Sequence, residues 1–223
     1  MEAILLIGAL FVGIHFFTQY RLEQQTEPEP VAVSEENSES ILFGSDKKPV
    51  IVAFGDSFTA GVGAPKGSDW TVVLSQMLDD NIINASKSGE MSGYAAARLS
   101  SVLAQYHPDI VFLQKGGDDL LNGRQHTTIA QNLIKLVRII QKSGAKPVLI
   151  GFPNLDLLDM MITSDMELFS KVVDRTGTYY IPDVYGPVLR DESLKSDDLV
   201  HPNAKGYHQI AERIYNYLRE HPL

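Results

Sequence analysis

The sequence predicts an α/β fold: a three-layer α/β/α sandwich with a five-stranded parallel sheet in the middle layer. Three observations lead there. Five short apolar runs rich in β-branched residues are separated by stretches whose apolar positions recur at helical spacing. Strands alternating with helices imply βαβ units, which put helices on both faces of a parallel sheet. Three of the five runs end in Gly-containing loops, which should meet at the carboxyl edge of the sheet, where ligands and reactive groups collect in such folds.

Taken in order, Ile51-Val52-Ala53-Phe54 is the first strand, running into Gly55-Asp56-Ser57. Asp69 to Leu78 carries Trp70, Val73, Leu74 and Met77 at helical spacing. Asn81 to Ala85 is a short second strand that leads into Ser86-Lys87-Ser88-Gly89-Glu90, followed by a helix through Tyr94, Ala97, Leu99 and Leu103. Asp109 to Leu113 is the third strand and ends in Gln114-Lys115-Gly116-Gly117-Asp118-Asp119. An amphipathic helix over Ile129 to Gln141 stops at Ser143-Gly144. Pro147 to Ile150 is the fourth strand, the region around Met166 to Val173 a helix, and Thr178 to Ile181 the fifth strand. The last helix runs from about Asn203 to Arg219, with Ile210, Ile214 and Leu218 on one face.

The chain of 223 residues holds one sizeable α/β domain plus a tail. A hydrophobic content of 44% and a charged content of 21% allow an ordinary buried core. A net charge of −9, with no basic cluster, argues against a nucleic-acid partner. With no cysteine there is no disulfide framework and no thiolate metal site, and six scattered histidines give no metal-ligand spacing. No cofactor is expected.

Residues 1–20 form an apolar N-terminal segment whose apolar run, Ala3 to Phe17, is shorter than the roughly 20 residues a spanning helix prefers, with Thr18 and Tyr20 placed to extend it into an interface. Glu2 precedes the run and no small-residue cleavage pattern follows, so it reads as an uncleaved membrane anchor. A terminal helix docked on the domain, or an atypical cleaved signal, stands beside that reading. Residues 21–48 carry six glutamates and little apolar surface, and read as a flexible acidic linker. Residues 49–223 are then the folded domain, expected on the periplasmic or extracellular side of a membrane and monomeric.

Ser57 follows a buried strand and a glycine, so its hydroxyl should stand at the sheet edge among free backbone N–H groups. It is a candidate nucleophile if a base reaches it, and a plain helix N-cap or turn former if none does. The base is offered by Asp197-Asp198-Leu199-Val200-His201-Pro202-Asn203. With a spacing of three, one loop can hold the Asp198 carboxylate on one imidazole nitrogen of His201 and leave the other to face Ser57. Pro202 biases His201 toward extended backbone and can open the last helix.

Gly55-Asp56-Ser57, Asn84 to Glu90, Gly116-Gly117-x-Asp119 and Asp198-x-x-His201-Pro202 together resemble, in order and spacing, the four blocks of the GDSL-type or SGNH hydrolase superfamily. The resemblance covers residues from about 49 to 220 and is nearest to bacterial arylesterases of the thioesterase/lysophospholipase type. It implies the flavodoxin-like SGNH hydrolase version of the sandwich and a serine ester hydrolase. By the same resemblance, Ser57 attacks an acyl carbonyl, His201 moves the proton, and Asp198 orients the imidazole. The backbone N–H groups of Ser57 and Gly89 donate to the oxyanion, and a family Asn supplies a third donor at the position occupied here by Asp118.

An ionised Asp118 would repel the oxyanion instead of binding it. Four arrangements stand open. Asp118 is protonated and donates its O–H; Lys115 neutralises it; the enzyme is slow or has lost activity; or Asp118 turns away and Asp119 or water takes its place. The loop after the fourth strand, Gly151 to Ser164, supplies Leu155, Leu157, Leu158, Met160, Met161 and Ile162. They can form an adaptable acyl-chain wall, with Leu155, Leu158, Met160 and Met161 as substrate contacts, or simply fill core. Lysophospholipid, aryl or fatty-acyl esters and thioesters are the expected substrates. A carbohydrate acetylesterase, or a weakly active membrane-tethered lipid binder, is the alternative.

Overall fold

The structure is a computed structural model, and it describes residues 48–156, 161–165 and 167–223. The apolar segment 1–20 and all of the acidic linker except Lys48 lie outside the described residues. Among the described residues no helix is long and apolar enough to cross a membrane, and no group of three or more acidic or imidazole side chains could hold a metal ion.

From β1 (Ile51–Phe54) the chain passes through the one-turn helix α1 (Ser57–Ala60) and α2 (Trp70–Leu78) to β2 (Ile82–Asn84), then through α3 (Ala96–Tyr106) to β3 (Ile110–Leu113). The short α4 (Gly117–Leu121) and the long α5 (His126–Lys142) lead to β4 (Lys146–Ile150). There follow β5 (Pro153–Asp156), β6 (Met161–Asp165), α6 (Glu167–Thr176), β7 (Tyr179–Ile181), α7 (Gly186–Arg190) and α8 (Ala204–Glu220).

The main sheet has five parallel strands in the order β2-β1-β3-β4-β7. Val52 sits in register between Ile83 of β2 and Val111 of β3. Every residue of β1 and β3 is fully buried, which is why these strands are continuous apolar runs with no alternation. Helix α2 packs against α8, and α3 and α6 both pack against α5, giving helical layers outside the sheet. The periodicity explains the packing: α5 buries Ile129, Leu133, Leu136, Val137 and Ile140, and α8 buries Tyr207, Ile210, Ala211, Ile214 and Leu218, each set at three- and four-residue steps. Asp69 and Asn203 cap α2 and α8 by accepting from the first free N–H groups.

The chain steps from β1 outward to β2 and then returns to the other side of β1 for β3. In parallel sheets such a reversal of strand order is where ligands bind, at the carboxyl edge between the loops leaving the two strands. Ser57 and Asp118 stand on those two loops.

The structure departs from the sequence expectation at Gly151 to Ser164. In place of a loop, β5 and β6 form an antiparallel hairpin, with Leu155 opposite Ile162 and Asp156 opposite Met161. Among the predicted acyl contacts, Leu155 lies on β5 and Met161 on β6, while Leu158 and Met160 lie outside the described residues. Helices α1, α4 and α7 were not anticipated, being too short to show a period.

Leu199 has φ +61 and is 62% exposed. Left-handed backbone costs a side-chain-bearing residue about 1–2 kcal/mol, and glycine's extra freedom in the unfolded chain takes back roughly 0.5–1 kcal/mol. Leu199→Gly is therefore expected to stabilise the fold by up to about 1 kcal/mol, a rise of roughly 2–4 °C in Tm. A thermal melt checks it; a lowered Tm contradicts it.

Candidate active site

Asp56 ends the β1 turn, and its side chain accepts from the Phe58 N–H, starting α1 at Ser57. The nucleophile candidate is thereby fixed in the first turn of a helix, 3% exposed. From the far end of the chain the loop before α8 delivers the imidazole. His201 Nε2 lies 2.9 Å from Ser57 Oγ, and His201 Nδ1 lies 2.6 Å from Asp198 Oδ2. The three side chains proposed from sequence are thus in one hydrogen-bonded line.

That line is braced at its Asp198 end and along the imidazole ring. Asp198 Oδ1 accepts from Ser196 Oγ, the Val200 N–H and the His201 N–H, each at 2.8 Å. Burial alone would raise the Asp198 carboxyl, but the bonds from the His201 ring and backbone and from Val200 hold it well below the usual carboxylate range. An acceptor-only carboxylate on Nδ1 requires the proton there, so Nε2 presents its lone pair to the serine hydroxyl. The Phe58 ring lies 4.8 Å from the imidazole centroid and is itself packed on Phe152 and Tyr185. Gly63 lets the chain pass close behind: a Cβ there would stand 2.9 Å from His201 Cβ and 2.7 Å from the Pro202 carbonyl oxygen. The Asn203 side chain ties the same loop to the carbonyls of Ser193 and Lys195.

Gly89 lies in the loop after β2 with φ +72. This loop is tethered to the nucleophile turn by the Lys87 N–H, which donates to the Gly55 carbonyl at 3.0 Å. Its other end is held at Glu90, whose carboxylate receives Arg98 Nε at 2.8 Å and Nη2 at 2.6 Å. Asn84 is structural, donating to the Thr59 carbonyl and accepting from Ser86.

Asp118 lies in the first turn of α4, is 9% exposed, and has no hydrogen-bond partner for its Oδ2 among the described residues. Its pKa is pushed up to about 7, first by burial and then by the neighbouring Asp56 carboxyl, with Asp119 adding and Lys115 and His201 opposing. Asp56 is fully buried, its Oδ2 is likewise unpartnered, and burial raises its carboxyl too. Lys115 acts on Asp118 through its charge and not through a direct bond, since its Nζ pairs with Glu90 Oε2 at 3.1 Å. Asp119 does not take the place of Asp118, because both of its oxygens are occupied by Ser92, through the N–H at 2.7 Å and Oγ at 2.8 Å.

Sequence reading missed Asp56 as a buried carboxyl beside the site and Glu90–Arg98 as the brace of the Gly89 loop. The only local signal for Asp56 was its place directly before a candidate helix start.

A family model described as "GDSL-like Lipase/Acylhydrolase family" matches residues 53–209. An arylesterase of Vibrio mimicus is 30% identical over 181 residues, which cover 77% of this chain and 88% of that protein. The thioesterase 1/protease 1/lysophospholipase L1 of Escherichia coli is 25% identical over 185 residues, 80% of this chain and 88% of that one. Among solved structures, the psychrotrophic esterase EstA from Pseudoalteromonas sp., inhibited by monoethylphosphonate, superimposes with a TM-score of 0.67 at 27% identity, over 78% of this chain and 98% of that one.

Proposed function

This chain belongs to the GDSL-like lipase/acylhydrolase family of ester hydrolases, and on that premise we propose that it cleaves acyl esters through an acyl-enzyme on Ser57. The observation that carries the reading is the unbroken Ser57–His201–Asp198 line, at 2.9 Å and 2.6 Å. In this mechanism the Ser57 hydroxyl gives its proton to Nε2 as Oγ attacks the carbonyl carbon. The imidazolium is stabilised by the Asp198 carboxylate and returns the proton to the leaving oxygen or sulfur. Water then repeats the cycle on the acyl-enzyme. The tetrahedral oxyanion is met by the Ser57 and Gly89 N–H groups, and by the Asp118 O–H while that carboxyl keeps its proton.

Fatty-acyl esters, lysophospholipids and thioesters are the proposed substrates. The support is the similarity to proteins named arylesterase and thioesterase/lysophospholipase, together with the apolar Leu and Met residues of the β5–β6 segment. A series of p-nitrophenyl esters from acetyl to dodecanoyl tests this choice. The reading expects kcat/KM to rise with chain length by about tenfold or more from acetyl to octanoyl, as each buried CH₂ contributes about 0.8 kcal/mol until the groove is filled. A maximum at acetyl would favour a carbohydrate acetylesterase. The Asp118 carboxyl supports one second reading, a weakly active tethered lipid binder, for which every member of the series would be turned over slowly and without chain-length preference.

A further inference from the structure

Lys115 closes β3 and has no exposed surface at all. A buried ammonium is expensive unless paired, and the relay described above does not use it. Its Nζ donates to the Glu90 carbonyl oxygen at 2.7 Å and pairs with Glu90 Oε2 at 3.1 Å. The Glu90 carboxylate already has a two-pronged partner in Arg98, which also donates to the Ala85 carbonyl and lies 4.0 Å over the Phe54 ring. Neutralising Glu90 therefore does not account for Lys115. What the lysine adds is a bond across the sheet edge to the main chain one residue after Gly89, and a positive charge on the side of the site where Asp56 and Asp118 are buried.

We propose that Lys115 is the positioning residue of the oxyanion pocket, its buried ammonium clamping the main chain at Gly89–Glu90 from beneath while placing positive charge beside Asp56 and Asp118. The proposal rests on the acyl-enzyme reading above. Lys115 faces Asp56 from the β1 turn, Glu90 from the β2 loop and Arg98 from α3; burial lowers its pKa, and Asp56 and Glu90 oppose that. Asp118 faces Asp56, Lys115, His201 and Asp119. Two separable effects follow. Loss of the clamp lets the Gly89 amide drift from the oxyanion at every pH. Loss of the charge makes Asp118 harder to ionise, so the alkaline fall in rate moves upward.

The test is the pH profile of kcat and KM for the full-length wild type, Lys115→Met, Lys115→Arg, Asp118→Asn and the double variant Lys115→Met/Asp118→Asn. Lys115→Met should lower kcat about 10²-fold with little change in KM, as expected for a misplaced donor. Its alkaline limb should move up by about one pH unit. In the double variant the rate loss should remain and the limb be absent, because Asp118 no longer titrates. Lys115→Arg keeps the charge and should keep the wild-type limb; a limb that moves in this variant contradicts the proposal even if Lys115→Met does not fold. A folded Lys115→Met enzyme with lowered Tm but the wild-type kcat and limb overturns the proposal and leaves the acyl-enzyme reading intact. A wild type without any ester turnover overturns both.

Discussion

Ser57→Ala is expected to lower ester hydrolysis by about 10⁴–10⁶-fold while leaving the fold and substrate affinity close to wild type. The size follows from the geometry. Ser57 Oγ is the atom in line with His201 Nε2, and alanine leaves the imidazole with no nucleophile to activate. The residue is almost fully buried in the first turn of α1, and alanine keeps its Cβ and loses only the oxygen that faces His201, so the change costs little stability. His201→Ala should produce a loss of the same order, and the double variant should lose little more than either single one, because the relay acts as a unit. Strongly additive losses, or activity retained in Ser57→Ala, would show that another group performs the attack.

Asp118→Asn should have the second largest effect, and its sign depends on pH. With its carboxyl pushed up to about 7, Asp118 is neutral and able to donate below that pH and becomes an anion above it. An anion at an oxyanion site withdraws a donor and adds repulsion, and losing one such donor costs about 10²–10³-fold. Wild-type kcat should therefore fall as pH rises above 7. Asparagine donates at every pH, so Asp118→Asn should match the wild type near pH 5.5 and exceed it about 10²-fold or more at pH 9. Rates equal or lower at every pH would remove Asp118 from the oxyanion pocket.

The same group sets a stability prediction with a definite direction. The folded protein holds the Asp118 proton up to about pH 7, whereas the unfolded chain releases it near the ordinary Asp value of about 4. The folded state thus binds more protons between those limits, so stability is fully present below pH 4 and is lost as pH rises toward and through 7. Asp118→Asn removes this loss. Its gain over wild type should be larger at pH 8 than at pH 5, by on the order of 2 kcal/mol.

Much of this was legible in the chain because its signals are local. The runs Ile51–Phe54 and Ile110–Leu113 show continuous apolar composition since both faces of a central parallel strand are covered. Asp198, His201 and Pro202 sit within five residues, so the loop geometry that joins carboxylate to imidazole is encoded where it is used. Pairing that loop with Ser57 spans 144 residues and was inferred only from the set of motifs, yet the coordinates bring the groups together. Other features depend on partners distant in sequence. Lys115 precedes two glycines just after a strand, and nothing local marks it as buried; its partner is the Glu90 carbonyl, 25 residues away. Lys115 therefore acts on Asp118 through its charge alone, its direct contacts being taken by Glu90. The β5–β6 hairpin was masked by leucine and methionine, which suit helix, loop or core alike.

The most direct test of the Ser57 relay is to treat the full-length protein with a fluorophosphonate and locate the adduct by mass spectrometry. Phosphonylation needs the activated hydroxyl and the oxyanion donors but no knowledge of the natural ester. The account predicts a single adduct on Ser57, absent in Ser57→Ala and strongly slowed in His201→Ala. An enzyme that hydrolyses esters yet gives no adduct on Ser57, or carries it on another residue, would contradict it.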